Sequence, residues 1–234
     1  MEYSNQNILN ISKYLKNVDH TFLTTDPSIL KKNLATTKNY KNIHFFFVPV
    51  DSNIECFDVY NLNPKNDIFY AMSHGVNRGN LKPGKIDERI IFLDKLSLKL
   101  KDIKYDFYGF KNQEPIWGNE FYNALKNSKM ALNLSRGQPT KYYSSNRIAS
   151  VVGNGLLTFI DSKVQLQDFF NKDEMIFYYN IDDLSEKIKF YSHNEKQRIK
   201  IAKNGKKKYF KLFNEVRMAK YIVDTSFGKK VSLT

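Results

Sequence analysis

Residues 128–161 read SKMALNLSRGQPTKYYSSNRIASVVGNGLLTFID, and the order of the pieces in that stretch decides the fold. The run 130–134 is short and apolar, the kind of segment that becomes a buried parallel strand. Ser135, Arg136 and Gly137 follow it, then a polar stretch with Pro139, Tyr142 and Tyr143. Ser144 or Ser145 can cap a helix, which 146–154 supplies and which Gly153 and Gly155 end. The run 156–160 is a second apolar strand, closed by Asp161. Strand, polar loop, helix, glycine and strand make one right-handed crossover unit. Such units bind ligands at the carboxyl ends of strands and at helix N-termini, where free N–H groups favour anions. Arg136 follows a strand end, and Arg147 stands in the first turn of the helix, where a cation opposes the macrodipole. A bound phosphate would account for both.

The chain has 234 residues, enough for a full core, and 41% hydrophobic with 15% aromatic residues argues for a folded globular protein. The first twenty residues lack the apolar centre of a signal peptide, and the run 45–50 is too short to span a bilayer. The expected location is therefore the cytoplasm, or peripherally the inner membrane face. A single cysteine, Cys56, excludes an internal disulfide and a cysteine-based zinc site, and reads as a small, partly buried apolar side chain. His20, His44 and His193 have no partners at metal-ligand spacing; His74, after an expected strand end, could contact a phosphate or act as a base, with a structural loop histidine the plainer reading.

The net charge of +13 invites a nucleic-acid partner. Against it, the cations are 31 lysines and 6 arginines in a chain rich in Asn, Ile, Tyr and Phe, the composition an A/T-rich genome imposes. No nucleic-acid recognition motif is present, so a basic nucleic-acid-binding protein remains the weaker alternative. The scarcity makes arginine informative: Arg78, Arg136 and Arg147 all fall in loops or helix starts beside expected strand ends. There is no P-loop, no Gly-x-Gly-x-x-Gly after a strand and no HExxH.

Along the chain, 5–16 reads as a helix, 21–25 as a strand, and Asp26-Pro27 opens a helix to 38. Residues 43–50 form a strongly apolar strand, and 51–67 is a connection, which sets a boundary between a short α/β segment, 1–50, and a larger unit, 51–234. Strands follow at 68–72, 105–108 and 175–179. Helices are expected at 86–100, 119–127, 164–170 and 184–191, the last capped by Asp182. The tail, 195–227, is helical with breaks at Asn204-Gly205 and Asn214. Alternating strands and helices imply an α/β fold: a Rossmann-like parallel sheet with helices on both faces. Trp117 reads as core or a loop anchor.

From Asp67 onward the chain resembles the C-terminal, nucleotide-sugar-binding half of GT-B glycosyltransferases, nearest to the group with CgeB-like proteins. The segments that carry the resemblance are IFYAMSHGVNR, YDFYGF, NSKMALNLSR, SSNRIASVVGNGLLTFID and EKIKFYSHNEKQRIKIAKNGKKKYFKLFNEVRMAKYI, in order. The resemblance implies a nucleotide-diphosphate sugar as donor, a glycan or lipid-linked acceptor at the cell surface, and no metal cofactor. It places Gly75, Arg78, Ser135, Arg136, Asn146, Arg147, Ser150 and Gly155 around the donor. Many retaining members carry two glutamates eight residues apart, one on the donor ribose; the matching positions here are Tyr142 and Ser150. The segment 1–50 then corresponds to the end of an N-terminal half, so a partner chain supplying that half is one reading. The missing half would leave an apolar surface near 43–50.

Overall fold

The computed structural model describes residues 15, 17–28, 42–73 and 87–233. The helices expected at 5–16 and 26–38, together with His74, Gly75 and Arg78, lie largely or wholly outside those residues. Two parallel sheets are present among the described residues. The small one pairs β1 (Thr21–Leu23) with β2 (Ile43–Phe45). The large one holds five strands in the order β4-β3-β5-β6-β7, every pair parallel: β3 (Asn66–Ala71), β4 (Tyr105–Tyr108), β5 (Ser128–Leu132), β6 (Leu157–Asp161) and β7 (Ile176–Tyr178). The two apolar runs that decided the reading are interior neighbours, β5 and β6, as full burial on both faces requires.

Between the strands run α1 (Glu88–Lys99), α2 (Gly118–Lys126) and α3 (Arg147–Gly153); α4 (Ile181–His193), α5 (Glu195–Phe213) and α6 (Glu215–Ser226) follow. Alternate residues along each strand feed two cores. Phe69, Ala131 and Ile160 pack with Leu125, Ile148 and Val151 on one face. Tyr70, Met130, Leu132 and Phe159 pack with Leu93, Leu96, Leu184 and Ile188 on the other. Helix α5 serves both, through Ile201 and Ala202 on the second and Tyr209, Leu212 and Phe213 on the first. Because β3 lies between β4 and β5, the winding reverses at β3/β5, and such a switch leaves a crevice beyond the carboxyl ends of the strands.

Several local expectations are corrected. The strand expected over 43–50 stops at Phe45; Pro49 has no N–H to pair, and Val50 rejoins by a parallel bridge to Asn214. Within this stretch Phe47 and Val50 are buried, Phe47 against Tyr209 and Phe213, while Phe46 and Val48 also line an open cleft. Helix α5 runs unbroken through Gly205, whose missing side chain has another reason: a Cβ there would lie 2.2 Å from the Glu174 carbonyl oxygen. Two 3₁₀ turns, Ser162–Val164 and Leu166–Asp168, replace the helix expected at 164–170, because Gln165 between them is left-handed at φ 58°. Asn180, not Asp182, caps α4, accepting from the N–H groups of Asp182 and Asp183 at 3.0 and 2.9 Å. Cys56 is exposed, and Trp117 is 60% exposed just ahead of α2 rather than in the core.

Candidate functional site: an arginine cluster at the β3/β5 crevice

Two arginines, Arg89 and Arg136, share one carboxylate, Asp87, at the carboxyl ends of β3 and β5, and a third, Arg147, stands nearby. Asp87 caps α1 and accepts from the Arg89 backbone N–H at 3.1 Å. The Arg89 guanidinium grips the same carboxylate, Nε to Oδ1 at 2.9 Å and Nη2 to Oδ2 at 2.6 Å, and Nη2 also donates to the Ser73 carbonyl. Arg136, arriving from the loop after β5, places Nη2 3.4 Å from Asp87 Oδ2. Burial raises the Asp87 pKa, but the Arg89 hydrogen bonds and charge, with Arg136 behind them, outweigh it and hold the carboxyl at about 2.

Arg147 completes the group from the first turn of α3. Its Nη2 donates to the Leu134 carbonyl at 2.7 Å, an oxygen that also accepts from the Tyr70 hydroxyl at 3.0 Å. The guanidinium lies over the Tyr70 ring, 4.9 Å from its centroid, and its buried Nε has no hydrogen-bond partner. Burial lowers its pKa; Tyr70 opposes that and the Arg89 charge adds to it. A cation held in such surroundings is stabilised by an incoming anion.

Asn133 and the serines fix the loop that carries these groups. Ser144 and Ser145, expected as caps, instead hydrogen-bond the Asn133 side chain, Ser145 Oγ donating to Oδ1 at 2.8 Å. Asn146 holds the cap position without a side-chain bond, so the first N–H groups of α3 have no side-chain cap there. Tyr142 adopts a left-handed φ of 62°, unusual for a bulky residue, and its hydroxyl bonds Asp168. Beside the loop is a cavity of about 150 Å³ whose lining includes Arg89, Phe92, Ser135, Tyr143, Asp161 and Tyr178.

The residues expected around the donor thus divide into three places. Arg136 and Arg147 lie at the crevice, and Ser135 lines the cavity beside it. Asn146 and Ser150 line the other side of α3, an open cleft of about 570 Å³ walled by Phe46, Val48 and Ile54. Ser150 Oγ there donates to Glu55 Oε1 at 3.4 Å, and burial raises the pKa of that glutamate. Gly155 is not with them: it precedes β6 at the opposite end of the sheet, where its φ of 82° and the Tyr60 ring leave no room for a Cβ. Sequence reasoning missed Arg89 and Asp87. Their signal was the pattern Asp-x-Arg at a helix start, indistinguishable in sequence from an ordinary cap followed by a surface cation.

A family model described as glycosyl transferase-like matches residues 89–224, more than half of the chain. The chain belongs to this glycosyl transferase-like family. No curated protein sequence matches it. Among solved structures, TarM aligns with 97% of this chain and 48% of its own at 9% identity and a TM-score of 0.64. HepE from Anabaena in complex with UDP aligns over 97% and 69% at 11% identity and a TM-score of 0.63. Sucrose-phosphate synthase from Thermosynechococcus elongatus aligns over 97% and 62% at 14% identity and a TM-score of 0.61. At these identities the likeness is one of fold, that of GT-B glycosyltransferases, and the chain spans about half to two-thirds of their lengths. Among the described residues no helix of this family member is long and apolar enough to cross a membrane.

Proposed function

We propose that the chain is the donor-binding part of a glycosyltransferase that takes a nucleoside-diphosphate sugar and serves transfer to a cell-surface glycan precursor. The observation that carries this reading is the Arg89–Asp87–Arg136 cluster at the β3/β5 switch point, with the buried Arg147 guanidinium on the Leu134 carbonyl beside it. A diphosphate there meets Arg147, Arg136 and Arg89. Fixed donors aimed at the leaving diphosphate stabilise charge as the glycosidic bond breaks, which requires no metal ion. That HepE was solved with UDP supports the choice of nucleotide class.

Two further points belong to the proposal. Neither Tyr142 nor Ser150 supplies the carboxylate found in many retaining members, so contact with the ribose is weaker here. The acceptor site is formed with a second half, packed on the side of β1 and β2, which we place outside these 234 residues; a partner chain is one source of it. We place the chain in the cytoplasm, at the inner face of the membrane where such acceptors are assembled. The test is a radiolabelled-sugar transfer assay on the isolated chain beside nucleotide titration calorimetry. Binding of UDP or GDP without transfer is expected. Robust turnover by a monomer refutes the need for a second half, and absence of nucleotide binding refutes the donor assignment.

A further inference from the structure

At the end of the sheet opposite the arginine cluster lies a second concavity, of about 250 Å³, between the connection leading to β3, the start of β5 and the junction of α4 with α5. Its lining includes Lys129, Ser192, His193, Glu195 and Arg198. Arg198 is 7% exposed, yet its bonding among the described residues is sparse. Nη1 donates to the Tyr191 carbonyl at 3.3 Å, and Nη2 lies 3.8 Å from a Glu195 carboxylate whose side chain is 72% exposed. Burial lowers the guanidinium pKa, and the charges of Glu195 and Asp67 oppose that shift. Lys129 adds an ammonium group, 2.8 Å from Asp67. His193 Nδ1 sits 2.9 Å from the Lys189 carbonyl, an oxygen that only accepts, so its Nε2 is the nitrogen left for other contacts. The 19-residue helix α5 begins here, and Asn194 at its cap position makes no side-chain capping bond.

We propose that this concavity binds the phosphate group of a small molecule, with Arg198 as the central charge, Lys129 and His193 at its sides and the first turn of α5 beneath. Two observations independent of each other point there: a buried guanidinium with donors to spare, and an uncapped helix start opening into the same polar cavity. Glu195 is the group the anion displaces. Its 3.8 Å contact is long for an ion pair and its side chain is free to swing into solvent. The site stands apart from the donor crevice by the full length of the β-strands, so it does not depend on the proposed function.

The test is an amide-resolved NMR titration of the full chain with inorganic phosphate, a hexose phosphate, and sodium sulfate or chloride at matched ionic strength. Saturable shifts at 192–198 and 60–64 are expected with phosphate. A tighter response to the hexose phosphate assigns a sugar phosphate as ligand, and an equal one assigns the free ion. Arg198→Gln is expected to weaken binding by about tenfold or more, the loss of one charge-assisted contact. Should that variant melt early, His193→Asn, at an exposed position, is expected to weaken binding about threefold. No shift at these segments up to about 10 mM phosphate overturns the proposal, that being far weaker than a useful site. So does the same response to chloride, or affinity unchanged in the folded variants.

Discussion

Replacing Arg147 by methionine separates binding from folding. In the free protein the substitution removes one hydrogen bond to the Leu134 carbonyl, about 1 kcal/mol. It also removes the stacking on Tyr70, about 0.5–2 kcal/mol. Against these losses it relieves a buried cation of its repulsion from Arg89, and methionine fills most of the volume. The terms oppose one another, so the net loss of stability should stay near 1 kcal/mol, a fall in Tm of about 2–4 °C for a chain of this size. Binding has no such compensation. A charge-assisted contact to a diphosphate contributes about 1.5–3 kcal/mol, so affinity should fall about 10- to 100-fold. Calorimetric titration with UDP and GDP, beside a thermal melt of each protein, reads both quantities. An affinity within about twofold of wild type would refute the reasoning. A large drop in Tm with unchanged affinity would make Arg147 a structural residue instead.

Two other outcomes test the fold and its response to pH. Gly205→Ala places a Cβ against the Glu174 carbonyl, a backbone atom that cannot step aside, and should cost about 1–3 kcal/mol in urea unfolding; a gain in stability, as expected of alanine in an unobstructed helix, would contradict the packing of α5. His44 stacks on His20 with Nε2 3.1 Å from the other ring's Nδ1, and burial first, then the His20 charge, lower its pKa. The neutral form is thus favoured by folding, so this stability is present above the unfolded value of about 6.5 and is lost as pH falls below it. The urea midpoint should therefore drop between pH 7.5 and 5.5, and His44→Asn should flatten that slope; an equal slope in the variant would remove the pair from the account.

Much of the fold was legible because its signals are local. The runs of Ala, Leu, Met, Phe and Ile in β5 and β6 demand cover on both faces, and that demand alone puts them in the interior of a parallel sheet. What failed locally was decided by distant contacts. Gly205 reads as a helix break unless one knows that the Glu174 carbonyl passes over it, and Gln165 carries no sign that it will turn left-handed. At the site, Arg136 and Arg147 stood out because arginine is scarce here, the one following a strand end and the other opening a helix. Arg89 was invisible since its meaning lies in a carboxylate shared with a residue 47 positions on, Arg136, at 3.4 Å. Gly155 was misplaced for a related reason: a glycine that ends a helix above the sheet is carried by that helix to the far end of the strands.

Whether the β3/β5 arginine cluster receives a diphosphate is read from a crystal structure of the chain grown with UDP. The diphosphate is expected between Arg89, Arg136 and Arg147, with the Asp87 pair retained. UDP bound away from all three arginines, or a diphosphate held at the opposite end of the sheet beside Arg198, would contradict it.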